Sequence, residues 1–305
     1  MAEFDYIAWL RSRTPADPRV LVGPGDDTAV LAPPTRPLLV TVDLLTDGTD
    51  FVVAEVGPRA AGRKAMAVNL SDIAAMAGAP TAAVVGVALP KTCGRAFAEE
   101  LYAGIREVAD EFGVAVVGGD TNSWAGGLVV SVTVFGEAST CGPVLRSGAK
   151  PGDWVMVTGP LGGSILGRHL TFPPRVREAL RLHECADLHA MIDVSDGLAA
   201  DLNHILEESR CGAVLVAEAI PVAPAAVELA RTSGKSPLQH ALGDGEDFEL
   251  VFTVSPADGA ALLRDQPVPG VTLAKIGTCV DAGLWLEEGG ARRPLAPAGW
   301  VHEMG

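Results

Sequence analysis

Two neighbouring stretches decide the fold of the first half of the chain: LLVTVD at residues 38–43 and PRAAGRKAMAVNLSDIAAMA at residues 58–77. The first is short and rich in β-branched residues, which predicts a strand that ends at an aspartate. The second is rich in alanine and begins with Pro58, a residue typical of the first turn of a helix. A strand followed by such a helix indicates an α/β arrangement.

The alternation continues on both sides of a predicted domain boundary. The stretch RSGAKPGD at residues 146–153 indicates a connector, so we expect domains at residues 1–148 and 149–305. In the first domain we expect a helix at 95–112 and further strands at 81–89, 114–118 and 127–136. In the second we expect a glycine-rich turn at 159–163, helices at 173–182 and 197–209, and strands at 154–158, 213–217, 248–254 and 271–279.

Composition and charge exclude several classes of partner. The 305 residues carry a formal charge of −15, from 23 basic and 38 acidic residues. Such a protein repels nucleic acid and anionic membranes, and it would repel a polyphosphate unless cations intervened. The five cysteines are widely spaced, which argues against a disulfide framework and favours the cytoplasm. The first residues are acidic and lack the basic-then-apolar pattern of a signal peptide, and no apolar run approaches the roughly 20 residues of a membrane helix.

Aspartates are concentrated at the ends of apolar strands and in turns of small residues. Carboxylates rarely survive beside buried strands unless they are paired or bound to metal. Because Mg²⁺ prefers hard oxygen ligands and bridges them to phosphates, the pattern predicts a magnesium and polyphosphate site. The segments are Gly25-Asp26-Asp27, Asp43, Asp47, Asp50, Asp72, Gly118-Gly119-Asp120-Thr121, Asp193-Val194-Ser195-Asp196-Gly197 and Gly243-Asp244-Gly245-Glu246-Asp247.

Each segment also has a simpler structural interpretation. Gly-Asp and Asp-Gly pairs are common turn formers, because glycine tolerates positive φ and aspartate bonds to nearby backbone. Asn69 and Asp72 share one face of the predicted helix, and the apolar residues around them favour a functional pair over a solvated face. N-capping explains one of Asp193, Ser195 and Asp196, but not all three.

Other chemistries are weakly represented. TGPLGGS at residues 158–164 is a candidate anion cradle between a strand and a helix, but it lacks the Gly-Lys-Ser/Thr ending of a P-loop. SGKS at residues 233–236 has that ending, yet Leu229 replaces the upstream glycine and no strand precedes it, so we expect a helix–helix turn. The six histidines show no metal-ligand spacing and no Gly-x-Ser-x-Gly elbow is present, which disfavours zinc and acyl chemistry.

Taken in order, the segments resemble those of thiamine-monophosphate kinases, in the superfamily of aminoimidazole-ribotide synthetase. The similarity extends over nearly the whole chain, to Gly299-Trp300-Val301-His302. Selenophosphate synthetase and a hydrogenase-maturation protein have overlapping motifs, but the GDDTAV and GEDFE runs fit the thiamine kinases best. The segments are GPGDDTAVL (23–31), TVDLLTDGTDF (41–51), GRKAMAVNLSDIAAMAGAP (62–80), VVGGDTN (116–122), RSGAKPGD (146–153), DVSDGLAADL (193–202) and GDGEDFELVFT (243–253).

The resemblance implies an N-terminal α/β domain whose sheet pairs across a homodimer, and a C-terminal α+β domain that covers the nucleotide. It implies that ATP and thiamine monophosphate give thiamine diphosphate and ADP with several Mg²⁺ ions. Because the acceptor phosphate oxygen is already ionised, we expect direct in-line transfer without a general base or phospho-enzyme.

The resemblance also implies roles for single residues, carried over by position. The implied metal ligands are Asp27, Thr41, Val42, Asp43, Asp72, Asp120, Asp193 and Asp196. The implied ATP contacts are Tyr102, Gly119, Asp120, Arg146 and Ser195, and the implied substrate contacts are Asp50, Glu246 and Trp300. The implied catalytic set is Asp27, Asp43, Asp72, Asp120, Arg146 and Asp196.

The chain departs from the family pattern on or near the acceptor side. Asp50 stands where the family has a histidine, Asp244 replaces a glycine of the Gly-Gly-Glu-Asp motif, and the stretch 165–190 is short. Two alternatives therefore stay open. One is an enzyme of the same superfamily with another acceptor. The other is a nucleotide- or metal-binding protein with a decayed acceptor site, against which the retention of every implied metal aspartate argues.

Overall fold

The computed structural model describes residues 3–24 and 27–300, which divide into two compact units. The first unit contains residues up to Ile73 together with Gly78–Thr140. The second contains Ala74–Ala77 and the residues from Cys141 onwards. The boundary predicted between residues 148 and 149 stays a prediction.

In the first unit, strands and helices alternate between residues 38 and 124, as the sequence predicts. The elements are α1 (Glu3–Ser12), β1 (Val20–Val22), β2 (Val30–Leu31), β3 (Leu38–Thr46), α2 (Val53–Ala75), β4 (Gly78–Pro90), α3 (Arg95–Glu111), β5 (Ala115–Trp124) and β6 (Val129–Ala138). The central sheet has the order β3–β6–β4–β5, with β4 parallel to β5 and antiparallel to β6, and β6 antiparallel to β3. β1 and β2 form a separate antiparallel pair.

Glycines shape the helical layer of this unit. Gly57 interrupts α2 with a left-handed φ of 81°, and Pro58 begins the regular part of the helix, as predicted. A Cβ on Gly62 of α2 would lie 2.1 Å from a carbonyl oxygen of α3, and one on Gly104 of α3 would lie 1.9 Å from a carbonyl oxygen of α2. These two helices therefore pack at a distance that only glycine permits.

The second unit is a mixed α+β structure around a larger sheet. Its elements are β7 (Trp154–Thr158), α4 (Arg168–Thr171), α5 (Val176–Cys185), β8 (Leu188–Asp193), α6 (Leu198–Ser209), β9 (Gly212–Val216), α7 (Pro224–Ser233), α8 (Pro237–Gly243), β10 (Leu250–Val254), α9 (Pro256–Asp265), β11 (Leu273–Val280), β12 (Leu284–Glu288) and β13 (Ala291–Pro294). The sheet order is β13–β12–β9–β11–β7–β10–β8, and β12 and β9 pair in parallel while the other neighbours are antiparallel.

The core of this unit joins the sheet to α6. Leu198, Leu202 and Ile205 of that helix belong to one buried cluster with strand residues such as Val157 and Ile192. This places the N-terminus of α6 next to the end of β8, where the predicted Asp193–Asp196 segment lies. The predicted α/β and α+β fold class is confirmed.

Most predicted elements are present with shifted ends. The strand expected from residue 248 begins at Leu250, because Phe248 has a left-handed φ of 50° that a strand does not adopt. The sequence SGKS separates α7 from α8, so the predicted helix–helix turn is confirmed. Within residues 3–24 and 27–300, no helix is both long and apolar enough to cross a membrane.

Candidate active site

Polar side chains of β3 and α2 meet in the first unit. Thr41 Oγ1 donates a hydrogen bond to Asp72 Oδ2, and the backbone N–H of Asp43 donates to Asn69 Oδ1 at 3.1 Å. Asn69 is fully buried, and its side-chain nitrogen donates to the carbonyl of Ala65 at 2.9 Å. Asn69 and Asp72 thus face the same strand, which brings three predicted metal ligands to one place.

Alternation along β3 decides which side chains reach α2. Leu39 and Leu45 are buried on the face that also carries Thr41 and Asp43. Val42 lies on the opposite face and is 59% exposed. Its apolar side chain offers no ligand atom, so a metal contact from Val42 requires its backbone carbonyl.

The turn after β3 uses its aspartates to fix its own backbone. Asp50 Oδ2 accepts a hydrogen bond from the N–H of Thr46 at 2.6 Å, and Asp47 Oδ1 accepts from the N–H of Val53 at 2.8 Å. The buried Lys64 donates to the carbonyl oxygen of Asp50 at 2.6 Å. Asp50 therefore has a structural role in this turn, and its contact with substrate stays a prediction.

The middle of β5 carries two further predicted residues, because the strand expected at 114–118 continues to Trp124. A Cβ on Gly119 would lie 1.9 Å from the carbonyl oxygen of Val85, so the close approach of β4 and β5 requires glycine here. The next residue, Asp120, is exposed and pairs with Gly86 in the ladder. Its carboxylate is therefore accessible at the edge of the sheet.

Tyr102 and Asp27 occupy contrasting environments in the same unit. Tyr102 of α3 is buried, and its ring packs edge-to-face on Trp9 with 5.7 Å between ring centroids. Asp27 is exposed, whereas its predicted neighbours Gly25 and Asp26 lie outside the described residues. The ATP contact of Tyr102 stays a prediction.

In the second unit, segments predicted to bind different ligands are joined through their backbones. The N–H of Glu246 donates to the carbonyl of Ser195 at 2.7 Å, and the N–H of Trp300 donates to the carbonyl of Asp196 at 2.9 Å. The segment predicted to contact ATP and metal is thus one hydrogen bond away from two residues predicted to contact the acceptor.

Glycines allow the close approach of these segments, which we call the backbone junction (Glu246 to Ser195 and Trp300 to Asp196). A Cβ on Gly245 would lie 2.6 Å from the carbonyl oxygen of Ser195, and one on Gly299 would lie 2.6 Å from that of Asp196. Both distances are shorter than any normal carbon–oxygen contact. The glycines of these two segments are therefore required by the close approach of the backbones.

A group of carboxylates surrounds the start of α6. Asp193 is almost fully buried, as is Asp201, whose Oδ2 accepts from the N–H groups of Asp196 and Gly197 at 3.0 Å each. Burial, and then the charge of Asp193, raises the pKa of Asp201 to about 8. One ligand atom each from Asp196, Asp201 and His204 lies within 4.8 Å of the others.

Asp201 is a residue of this group that sequence reasoning missed. It lies within the specific DVSDGLAADL stretch, on the buried side of α6. A charged residue among the apolar positions of an amphipathic helix was the available signal.

The glycine-rich turn at residues 159–164 binds carboxylates of the protein itself. The N–H of Gly162 donates to Asp247 Oδ2 at 2.7 Å, and the N–H of Gly163 donates to Asp244 Oδ2 at 3.2 Å. Ser164 Oγ also donates to Asp247. The turn binds anions, as the sequence predicts. The N–H groups of Gly162 and Gly163, however, bind carboxylates of the protein and not a phosphate.

Burial and hydrogen bonding shift the pKa of Asp247 in opposite directions. Burial raises the pKa of this carboxyl to about 7, although the hydrogen bonds from Ser164 and Gly162 act in the opposite direction. Asp247 is 1% exposed, so desolvation prevails.

Three predicted contact residues are accessible to ligands. Arg146 is exposed, and its carbonyl oxygen accepts from Ser209 Oγ at 3.0 Å. Glu246 is half-buried, and Trp300 is 59% exposed. The assignment of each residue to ATP, metal or acceptor stays a prediction.

Comparison with known proteins identifies the family. Residues 25–138 match the N-terminal domain of AIR synthase related proteins, and residues 150–284 match the C-terminal domain. A thiamine-monophosphate kinase of Rhodopirellula baltica is 43% identical over 98% of this chain and 97% of its own. The chain belongs to the thiamine-monophosphate kinase family.

Solved structures of thiamine-monophosphate kinases have the same fold. The enzyme of Stenotrophomonas maltophilia K279a is 33% identical, with a TM-score of 0.81 over 94% of this chain and 96% of its own. AaThiL complexed with AMPPCP and TMP is 28% identical, with a TM-score of 0.77 over 99% of this chain and 97% of its own. The predicted resemblance is therefore confirmed.

Proposed function

We propose that the protein transfers the γ-phosphoryl group of ATP to thiamine monophosphate, giving thiamine diphosphate and ADP. Its relatives support this reaction, since they are thiamine-monophosphate kinases and AaThiL is complexed with AMPPCP and TMP together. In this chain the proposal rests on the backbone junction that ties Glu246 to Ser195 and Trp300 to Asp196. Acceptor and nucleotide contacts held one hydrogen bond apart suit direct transfer between two bound substrates.

We assign several Mg²⁺ ions to the carboxylates of the two units. Oxygen donors of Thr41 and Asp72 meet in the first unit, and Asp193, Asp196 and Asp201 lie around one helix start in the second. Such hard oxygen donors are the ligands that magnesium prefers, and a cation relieves the repulsion among neighbouring carboxylates. When bound, Mg²⁺ neutralises and orients the phosphates.

The side chains of the protein then act by positioning and electrostatics. The acceptor oxygen is ionised at neutral pH, so no residue is needed to remove a proton. The exposed guanidinium of Arg146 stabilises the charge on the transferred group. Glu246 attracts the cationic thiazolium ring, and the exposed indole of Trp300 stacks on the substrate.

A second candidate function differs only in the acceptor, and Asp50 is the residue that favours it. In place of the family's histidine, this carboxylate closes its own turn through the N–H of Thr46. A negative charge here would attract a cationic ring but repel a monophosphate. Another acceptor with less negative charge would avoid that repulsion.

We further propose a homodimer in the cytoplasm. On β3 the apolar residues Leu38, Val40, Val42 and Leu44 alternate along one face and are 51–62% exposed. A stripe of this kind on an edge strand favours burial against a second copy of the same sheet. The odd number of widely spaced cysteines favours a reducing compartment.

The decisive experiment measures ADP release with ATP and Mg²⁺, with and without thiamine monophosphate, while chromatography follows thiamine diphosphate. We expect product from the wild-type protein and none from Asp72→Ala. The matched control is Asp110→Ala, which removes a 58%-exposed carboxylate from the same unit and should keep activity. ATP binding without product would reject this acceptor and direct the search to others.

A further inference from the structure

A buried carboxylate outside the proposed ligand sites anchors the segment that carries Glu246. Glu249 has no exposed surface, and its Oε2 accepts from Arg175 Nε at 2.8 Å and Thr158 Oγ1 at 2.7 Å. Its Oε1 accepts from Arg175 Nη2 at 2.6 Å and from Arg168. Arg175 thus holds Glu249 with two parallel hydrogen bonds, a geometry that fixes orientation as well as distance.

Both arginines come from the stretch 165–190. Arg168 lies in α4 and donates a further hydrogen bond to the carbonyl of Asp247 at 2.7 Å. Between the arginines, the buried ring of Phe172 stacks on Phe248 with 4.0 Å between centroids and 15° between planes. This stretch therefore contacts Asp247, Phe248 and Glu249, the three residues that directly follow Glu246.

The backbone of residues 246–249 adopts a conformation that needs stabilising contacts. Glu246 and Phe248 have φ values of 63° and 50°, in the left-handed region that L side chains rarely adopt. Residues in that conformation persist when their surroundings determine it. On the side facing Ser195, the N–H groups of Glu246 and Phe248 donate hydrogen bonds to the 194–195 backbone, and Gly245 packs closely against it.

We propose that Arg175, acting through Glu249, is a positioning residue that sets the orientation of Glu246 toward the phosphoryl acceptor. Arg168 and Phe172 hold the same segment from the same side. The inference rests on the proposed function, because it takes Glu246 as the contact to thiamine monophosphate. It assigns to the stretch 165–190 an indirect part in acceptor recognition, through the position of Glu246.

The test compares Arg175→Ala with Arg181→Ala. The second variant removes an arginine of α5 that is 53% exposed and pairs with Glu184 at the surface. We expect Arg175→Ala to raise the KM for thiamine monophosphate about tenfold and to leave the KM for ATP within about twofold. The reason is that a displacement of Glu246 by a fraction of an ångström weakens its contact with the acceptor by about this factor. Arg181→Ala should leave both KM values unchanged.

A purely structural role predicts a different result, and that result would overturn the inference. Arg175→Ala would then lower the melting temperature or the yield of folded protein, while the folded fraction kept the wild-type KM for thiamine monophosphate. If Arg175→Ala does not fold, Phe172→Leu serves instead, because it keeps an apolar side chain and removes the ring stacking on Phe248. The same rise in one KM is expected, and an unchanged KM contradicts the inference.

Amide hydrogen exchange separates failure of this inference from failure of the proposed function. In Arg175→Ala the amides of Glu246 and Phe248 should exchange faster, since both donate hydrogen bonds to the 194–195 backbone. This readout needs no turnover. Absence of thiamine diphosphate with wild-type protein would reject the proposed function alone, and unchanged exchange at these two amides would reject the anchoring.

Discussion

Replacing Gly245 by alanine tests whether the junction between the acceptor and nucleotide segments controls turnover. The new Cβ would lie 2.6 Å from the carbonyl oxygen of Ser195, whereas ordinary contacts begin at 3.4 Å. The two backbones must therefore separate by about 0.8 Å, and misplacements near 1 Å cost roughly 100-fold in rate. We expect kcat/KM to fall by about 10- to 100-fold, with a loss of about 1–3 kcal/mol in unfolding free energy from overpacking.

Gly243→Ala is the matched control for this variant. It adds the same methyl group two residues earlier, where the nearest atom would be a carbonyl oxygen at 3.6 Å, an ordinary contact. Thiamine diphosphate formation gives kcat and KM for each variant, and calorimetry gives the melting temperature. If Gly245→Ala has the kcat/KM of the wild type, or if both variants lose activity equally, the reasoning from the close approach is refuted.

Three further predictions address pH, assembly and packing. In the folded protein the pKa of Asp247 is raised to about 7. As pH rises, this carboxyl therefore loses its proton in the unfolded chain before it does so in the folded protein. The free energy of unfolding should therefore fall by about 2–3 kcal/mol between pH 5 and pH 8 relative to Asp247→Asn, and parallel melting curves would contradict this. Leu44→Glu should convert the proposed dimer to monomers in sedimentation analysis. Leu21→Glu should not, although Leu21 is as exposed (63%) as Leu44 (62%). Gly104→Ala should lower unfolding free energy by about 3 kcal/mol or more, and Gly94→Ala, with open space around its Cβ, by less than about 1 kcal/mol in denaturant titrations.

Local patterns explain why the first unit could be predicted well from sequence. Composition and Pro58 identify α2, and the helical period alone places Asn69 and Asp72 on one face. The alternation of β3 likewise separates Thr41 and Asp43 from Val42. None of these inferences needs information from distant parts of the chain.

The two buried carboxylates that sequence reasoning missed differ in how far away their partners lie. Glu249 meets Arg175 across 74 positions, which no local pattern indicates. Asp201 accepts hydrogen bonds from the nearby N–H groups of Asp196 and Gly197, and its place among apolar helix positions was a usable local signal. The turn at residues 159–164 illustrates a second difficulty. Its N–H groups predict an anion, but a carboxylate and a phosphate satisfy them alike, so only the fold identifies Asp244 and Asp247 as the partners.

The anchoring of residues 244–249 has a consequence for protein engineering. The sequence GDGEDFE cannot be moved to another scaffold as a short insert, because its left-handed residues are stabilised by contacts from other elements. A transplant that preserves the conformation must include the stretch from Thr158 to Arg175, which supplies the cradle, the stacking ring and both arginines. The two stretches are one recognition module made from two parts of the chain, and substitutions in one should be compensated by substitutions in the other.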